Sequence, residues 1–177
     1  MQNINERLSG VCPILPTPFC EDDTIDCGSL EREVNFLLDS GVSGIALFGN
    51  ASEAFALTAA EKQQIAELVV RVNNGRVPLV FGAGGTGIEP AIDSAQWAYK
   101  NGADVLMMMP PYMIKPDAQR IYDYYAAVAK AVPLPIMIQD APGACGVNIP
   151  IDTIVRLVND YDNIRFVKAE APPTFQK

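Results

Sequence analysis

The sequence contains no histidine, and this absence excludes several kinds of active site. Without an imidazole, neither a Ser-His-Asp triad nor a Cys-His pair can form. A general acid or base that works near neutral pH must then be a carboxylate, a tyrosine, a lysine or an ordered water. A zinc site is also disfavoured, because the four cysteines show no CxxC spacing. We therefore expect reduced thiols, no metal and no cofactor.

Long apolar runs and basic clusters are missing as well. No stretch of about 18 uncharged apolar residues occurs, and the first residues lack the pattern of a secretory signal peptide. We accordingly expect a cytoplasmic protein without a membrane segment. The net charge is −8 at pH 7, so neither nucleic acid nor an anionic membrane is an expected partner. An anionic small molecule would have to be held by local groups.

The residues that are present indicate an α/β protein. The 177 residues are 49% hydrophobic, which suits one sizeable core better than two. Short apolar runs alternate with longer amphipathic runs, and this alternation predicts six strands and five helices. The strands are expected over residues 10–19, 44–49, 77–84, 103–111, 134–142 and 163–170, and the helices over 29–41, 57–75, 87–102, 117–132 and 150–160. Nearly continuous apolar strands separated by helices indicate a parallel sheet covered on both faces.

The spacing of these elements suits both a (β/α) barrel and a doubly wound sheet. Thr58 and Glu61 have the spacing of a capping box at the start of the clearest helix. A dinucleotide-dependent oxidoreductase is disfavoured, because no GxGxxG motif opens the helix after the first strand. The segment GAGGTG at residues 82–87 lacks the acidic partner of such a site, and we interpret it as a turn.

Polar residues that follow apolar strands are the candidates for chemistry, because active sites of parallel α/β folds lie at the carboxyl ends of the strands. They are Thr17, Asn50, Ser52, Glu53, Tyr112, Gln139, Asp140, Lys168 and Glu170. Lys168 alone among the six lysines emerges from a strand core. Burial lowers the pKa of a lysine, and the neutral amine attacks a carbonyl to form an imine. The residues alone leave open a structural lysine paired with Glu170 or Glu53, or an exposed lysine at a frayed sheet edge.

Five segments occur in order along the chain: PTPF, GNASEAFALT, MMMPPY, PIMIQDAPG and FVKAEAP. Together they resemble the dihydrodipicolinate synthase and N-acetylneuraminate lyase family of class I aldolases and dehydratases. The resemblance implies a TIM (β/α)8 barrel whose sixth strand presents a Schiff-base lysine to a 2-oxo acid, and Lys168 matches that lysine. It also implies a homo-oligomer, either a tetramer or a dimer of dimers. We therefore expect a single barrel domain over residues 1–177 that lacks its C-terminal part.

Several positions depart from the family pattern. The family's Gly-Thr-Thr-Gly-Glu loop is Gly-Asn-Ala-Ser-Glu at residues 49–53, Gln139 replaces a strand tyrosine, and Met113 replaces the second tyrosine of a Pro-Tyr-Tyr motif. The segment DAPGACG also lacks the family's arginine. These departures argue against dihydrodipicolinate synthase itself. At the same positions the sequence resembles the L-2-keto-3-deoxyarabonate dehydratases, which have a similar Asn-x-Ser-Glu loop and a similar QDAP segment.

The resemblance implies a role for each candidate residue. We expect Lys168 to form an imine with C2 of a 2-keto-3-deoxy sugar acid, after which the C4 hydroxyl leaves from the enamine. Asn50 and Ser52, with their backbone N–H groups, are expected to hold the substrate carboxylate. Gln139 is expected to orient the imine or a water, and Tyr112 either lines the pocket or only packs. Gln139 cannot relay a proton, so that task falls to a water or to the substrate carboxylate.

Other interpretations stay open at this point. Glu53 and Glu170 are either bases or groups of ion pairs and helix caps. The protein is alternatively an aldolase or synthase of the same family that uses pyruvate, or a barrel fragment that binds a 2-oxo acid without turnover. Imine formation distinguishes a working lysine from a structural one, and the product distinguishes a dehydratase from an aldolase.

Overall fold

The computed structural model describes residues 3–173, and the chain divides there into two units. The first unit comprises residues 3–82 and 101–104, and the second comprises residues 83–100 and 105–173. The single domain over residues 1–177 stays a prediction, and its first two and last four residues lie outside the described part. No helix of residues 3–173 is long and apolar enough to cross a membrane.

The first unit is built on two paired strands. Its strands are β1 (Ile45–Leu47) and β2 (Leu79–Gly82), and its helices are α1 (Ile4–Arg7), α2 (Cys27–Asp39) and α3 (Ala59–Asn73). Strand β1 runs parallel to β2, with Ile45 opposite Leu79. All of β1 and the first three residues of β2 are buried, as expected for the continuous apolar strands of a covered parallel sheet.

Helix α3 begins at the capping box that the sequence predicts, and this prediction is confirmed. The Thr58 hydroxyl accepts the N–H of Glu61 at 3.3 Å, and the Glu61 carboxylate accepts the N–H of Thr58 at 2.7 Å. The N–H of Thr58 stabilises the charged carboxylate and lowers the pKa of Glu61. Helix α2 begins two residues before the predicted position, because the Asp26 carboxylate accepts the N–H of Ser29 at 2.9 Å and caps the helix.

The predicted strand over residues 10–19 does not form, and that range contains only two isolated bridges, a parallel one between Ile14 and Ala46 and an antiparallel one between Phe19 and Ile25. Its prolines, Pro13, Pro16 and Pro18, have no N–H to donate to a ladder. The described residues therefore contain five named strands rather than six. They also contain the short helices α1 and Pro142–Cys145, which the sequence pattern does not predict.

The second unit carries three parallel strands in the order β3 (Val105–Met108), β4 (Ile136–Asp140) and β5 (Ile164–Ala169). Its helices are α4 (Ile88–Lys100), α5 (Ala118–Ala131), α6 (Pro142–Cys145) and α7 (Ile151–Asp160). All five strands of the described residues lie within predicted ranges, and so do helices α3, α4, α5 and α7. The carboxyl ends of β4 and β5 lie side by side, so residues that end these strands are neighbours.

A bulge sets the register of β5 against β4. Ile164 lies opposite Ile136, whereas Phe166 lies opposite Met137, so Arg165 is an extra residue on β5. After the bulge, Lys168 lies opposite Gln139. Without the bulge, Val167 would lie opposite Gln139. Lys168 would then point to the opposite face of the sheet, because successive side chains alternate.

Two tyrosines of α5 fix neighbouring backbone. The Tyr124 hydroxyl accepts the N–H of Gly85 at 2.9 Å and donates to the carbonyl of the same residue at 3.1 Å. The Tyr125 hydroxyl donates to the Met108 carbonyl at 2.9 Å. Burial raises the pKa of Tyr124 to about 12. Residues 83–86, in the segment interpreted as a turn, form neither helix nor strand. The buried Tyr124 hydroxyl fixes this segment through its two hydrogen bonds to Gly85.

A strained residue follows β1. Phe48 has a φ of 59°, in the left-handed region that bulky residues rarely adopt. Its ring packs edge to face on Phe81, with centroids 5.3 Å apart. Its carbonyl oxygen lies so close to Gly82 that a Cβ there would overlap it. The absence of a side chain at position 82 therefore lets the chain turn at Phe48 into the segment at residues 49–53.

We expect Gly82→Ala to lower the free energy of unfolding by about 2 kcal/mol, because the new methyl group displaces the Phe48 carbonyl. Urea unfolding measures the change. Gly143→Ala is the matched control and should be nearly neutral, since a Cβ at Gly143 meets no atom within 4 Å. Equal stability of Gly82→Ala and the unchanged protein would show that Phe48 relaxes at no cost.

Candidate active site

Lys168, Gln139 and Glu170 meet at the carboxyl ends of β4 and β5. The Nζ atom of Lys168 lies 3.4 Å from Oε1 of Glu170. The Gln139 side-chain amide donates to Oε2 of Glu170 at 2.7 Å. Gln139 is 3% exposed, whereas the side chains of Lys168 and Glu170 are 28% and 40% exposed. In this cluster the Gln139 amide is buried, whereas the Lys168 amine and the Glu170 carboxylate are accessible to solutes.

The backbone explains why these three side chains converge. Lys168 and Glu170 are two residues apart on an extended segment, so both side chains point to the same face. Gln139 is the register partner of Lys168 on β4 and shares that face. The N–H of Glu170 donates to the Asp140 carbonyl at 2.9 Å and continues the ladder past the end of β5. The cluster is thus held by the sheet rather than by a free loop.

The ion pair between Lys168 and Glu170 is the contact that a structural interpretation of the lysine requires. The same contact also leaves the amine at a strand end, beside a group able to exchange a proton with it. Neither oxygen of Glu170 is bound by a second lysine or an arginine in the described residues. The geometry is therefore compatible with both interpretations of Lys168, and its catalytic role stays a prediction.

The two predicted carboxylate-binding residues lie in the segment after β1, where residues 50–52 form one 3₁₀ turn. Ser52 is buried, its hydroxyl donates to the Leu15 carbonyl at 2.5 Å, and its N–H donates to the Gly49 carbonyl at 3.1 Å. Both of its protons are thus engaged within the unit. Asn50 is exposed, and no described hydrogen bond uses its side-chain amide. Asn50 is therefore the better placed of the two to receive a carboxylate.

The remaining candidates have less defined roles. Tyr112 follows β3, is 41% exposed and makes no hydrogen bond within residues 3–173. Asp140 ends β4 and is 1% exposed. Glu53 is exposed and adopts a left-handed conformation, with a φ of 53°. No group of three or more histidine, cysteine, aspartate or glutamate residues in the described part of the chain is arranged to hold a metal ion.

The profile of the Dihydrodipicolinate synthetase family matches residues 7–174. The chain belongs to this family. Its family relatives include a 4-hydroxy-tetrahydrodipicolinate synthase of Phocaeicola vulgatus, which is 34% identical over 165 residues, or 93% of this chain and 56% of the relative. The family membership predicted from the five sequence segments is thus confirmed, whereas the similarity to the L-2-keto-3-deoxyarabonate dehydratases stays a prediction.

Solved structures of the family have the same fold. A dihydrodipicolinate synthase crystal structure matches with a TM-score of 0.90 and 36% identity, covering 94% of this chain and 58% of that one. The chloride-inhibited dihydrodipicolinate synthase of Acinetobacter baumannii, complexed with pyruvate, matches with a TM-score of 0.88 and 34% identity, covering 91% of this chain and 55% of that one. The predicted fold class is confirmed: the five strands and seven α-helices of residues 3–173 match part of a TIM barrel.

The chain spans little more than half the length of these family members. Sequence patterns missed two features of the site, namely the bulge at Arg165 and the contact between Gln139 and Glu170. A signal for part of the second feature was available, because Lys168 and Glu170 have the two-residue spacing that places side chains on one face of a strand. The bulge has no comparable signal in the local pattern.

We expect Ser52→Ala to lower the free energy of unfolding by about 1–3 kcal/mol, because the buried Leu15 carbonyl loses its side-chain donor. Ser43→Ala is the matched control, since the Ser43 hydroxyl also donates to a backbone carbonyl, at Ser9, but on the surface. That variant should change stability by no more than about 0.5 kcal/mol. Chemical denaturation measures both, and a neutral Ser52→Ala would contradict a structural role for this hydroxyl.

Proposed function

We propose that the protein is a Schiff-base enzyme in which the amine of Lys168 condenses with the carbonyl group of a small 2-oxo acid. The observation that carries this proposal is the position of Lys168, at the carboxyl end of a parallel strand and 3.4 Å from a carboxylate. Active sites of barrels lie at those strand ends. Membership of the Dihydrodipicolinate synthetase family supports the same chemistry.

The carbon chemistry that follows is best supported as pyruvate-dependent. An imine withdraws electrons from the adjacent carbon, so that C3 of pyruvate loses a proton and becomes an enamine nucleophile. The enamine then attacks an aldehyde and a C3–C4 bond forms, as in an aldolase or synthase. The relatives named 4-hydroxy-tetrahydrodipicolinate synthase and the relative crystallised with pyruvate support this class.

A second candidate is the dehydration of a 2-keto-3-deoxy sugar acid such as L-2-keto-3-deoxyarabonate. The observation that favours it is Gln139, a buried amide bound to Glu170 where the resemblance expects a tyrosine. An amide orients a neighbour but supplies no proton of its own, so the acid and base groups differ from those of a tyrosine-containing synthase. The same imine then serves to expel the C4 hydroxyl instead of forming a C–C bond.

The substrate carboxylate needs donors, because the chain carries a net charge of −8. We propose the exposed amide of Asn50 for this task, with the backbone N–H groups of its segment. The hydroxyl of Ser52 contributes only by giving up its bond to Leu15. We further propose that Tyr112 lines the site, that no cofactor takes part and that the working form is a homo-oligomer, as the family resemblance implies.

We expect incubation with pyruvate and borohydride to attach one reduced pyruvate to Lys168, as measured by intact mass and peptide mapping. Lys168→Ala should abolish the adduct. The matched control is Lys62→Ala, because Lys62 is half-buried and burial lowers its pKa, which makes it a competing amine. That variant should form the adduct normally.

The outcomes separate the candidate functions. An unmodified wild-type protein, folded by circular dichroism, would contradict the proposal. An adduct that persists in Lys168→Ala would assign the imine to another lysine. With 2-keto-3-deoxyarabonate, a product lighter by one water indicates dehydration, whereas release of pyruvate indicates cleavage of the C3–C4 bond. An adduct without either product indicates a 2-oxo acid-binding protein.

A further inference from the structure

The two carboxylate oxygens of Glu170 have different partners. Oε2 accepts the side-chain amide of Gln139 at 2.7 Å, and Oε1 lies 3.4 Å from the amine of Lys168. A neutral amide therefore holds one oxygen, while the other faces the atom that would attack a carbonyl. This division gives the carboxylate a fixed direction relative to the nitrogen.

The Gln139 side chain and the Glu170 backbone are both fixed by the sheet. Gln139 is 3% exposed and lies within β4, so its amide has little freedom to move. The backbone of Glu170 is tied to Asp140 by a hydrogen bond of 2.9 Å. The Glu170 side chain nevertheless remains 40% exposed, so the carboxylate can exchange protons with water.

Stability does not account well for this contact. An ion pair that is open to water on both sides contributes little to folding, because solvent screens the charges and ordering the long side chains costs entropy. The Lys168–Glu170 pair is partly open to water, with side chains 28% and 40% exposed, so we expect only a small contribution to folding. A buried amide aimed at one oxygen of an exposed carboxylate is more easily understood as a device that positions the carboxylate.

We propose that Glu170 is the proton carrier of imine formation at Lys168 and that Gln139 is its positioning residue. This inference rests on the proposed function and adds to it the group that moves protons between nitrogen and oxygen. It differs from the sequence-based expectation, in which a water or the substrate carboxylate performs the relay and Gln139 orients the imine or a water.

The proton transfers balance with a single carboxylate. Glu170 takes one proton from the ammonium of Lys168, and the neutral nitrogen attacks C2 while the carbonyl π electrons move to oxygen. Glu170 returns that proton to the oxygen, takes a second proton from nitrogen and delivers it to the new hydroxyl. The C–O bond breaks, water leaves and the C=N bond forms. The nitrogen starts with three protons and ends with one, and Glu170 ends as the carboxylate.

The test compares rates of imine formation rather than final yields. Protein is mixed with pyruvate and excess cyanoborohydride, samples are quenched at intervals, and the adduct at Lys168 is quantified by mass. Glu170→Gln keeps the size of the side chain and should slow adduct formation about a hundredfold or more, the usual contribution of a general acid–base group. Glu170→Asp keeps the carboxylate and should lose much less.

Two further variants make the result specific. Glu170→Ala should be accelerated by added formate, which supplies a free carboxylate, and a purely structural glutamate would show no such rescue. Gln139→Met should slow the reaction, whereas the double variant with Glu170→Gln should be no slower than Glu170→Gln alone, because Gln139 acts only through Glu170. Glu67→Gln is the matched control, since that glutamate is exposed on α3, and it should react at the wild-type rate.

The outcomes distinguish failure of this inference from failure of the proposed function. Wild-type adduct with an equal rate in folded Glu170→Gln would overturn the role of Glu170 and leave the Schiff base intact. No adduct in the wild type would overturn both. If Glu170→Gln does not fold, the formate response of Glu170→Ala and the rate of Glu170→Asp decide, and a slow Glu170→Asp without rescue in Glu170→Ala would also overturn the role.

Discussion

The register between β4 and β5 is the constraint on which the candidate site depends. The ladder pairs Gln139 with Lys168 only after Arg165 has been left over as an extra residue. A bulge of this kind bends and twists its strand, and it exchanges the faces to which all later residues point. The lysine, the amide and the carboxylate therefore share one face because of a backbone irregularity at Arg165, three residues before Lys168.

The cluster also shows how a chain without histidine can assemble acid–base groups. Parallel strands end at the same edge, so one polar residue from each of two strands is enough to bring two functional groups together. A third group comes from the residue that continues the ladder beyond β5, where the N–H of Glu170 binds the Asp140 carbonyl. The sheet supplies the precision, and no ordered loop is needed to place these three side chains.

Much of the fold follows from local sequence patterns, whereas the site does so only in part. The capping box of Thr58 and Glu61 is predictable because it depends on four consecutive residues. The position of Lys168 at a strand end follows from the apolar run before it. The register does not follow, because Arg165 looks locally like any exposed strand residue. The burial of Ser52 cannot be predicted from its neighbours in sequence either, because its hydrogen-bond partner, Leu15, is 37 positions away. The first predicted strand does not form, because its prolines have no N–H to donate to a neighbouring strand.

Phe48 and Gly82 carry a consequence for the history of the protein. The left-handed turn at Phe48 exists only beside a residue without a side chain, so neither position is free to drift independently. A lineage that acquired a side chain at position 82 would first have to abandon the turn at position 48, and with it the path of the segment that follows. Substitutions at positions 48 and 82 should therefore have occurred together, although the two residues are distant in sequence.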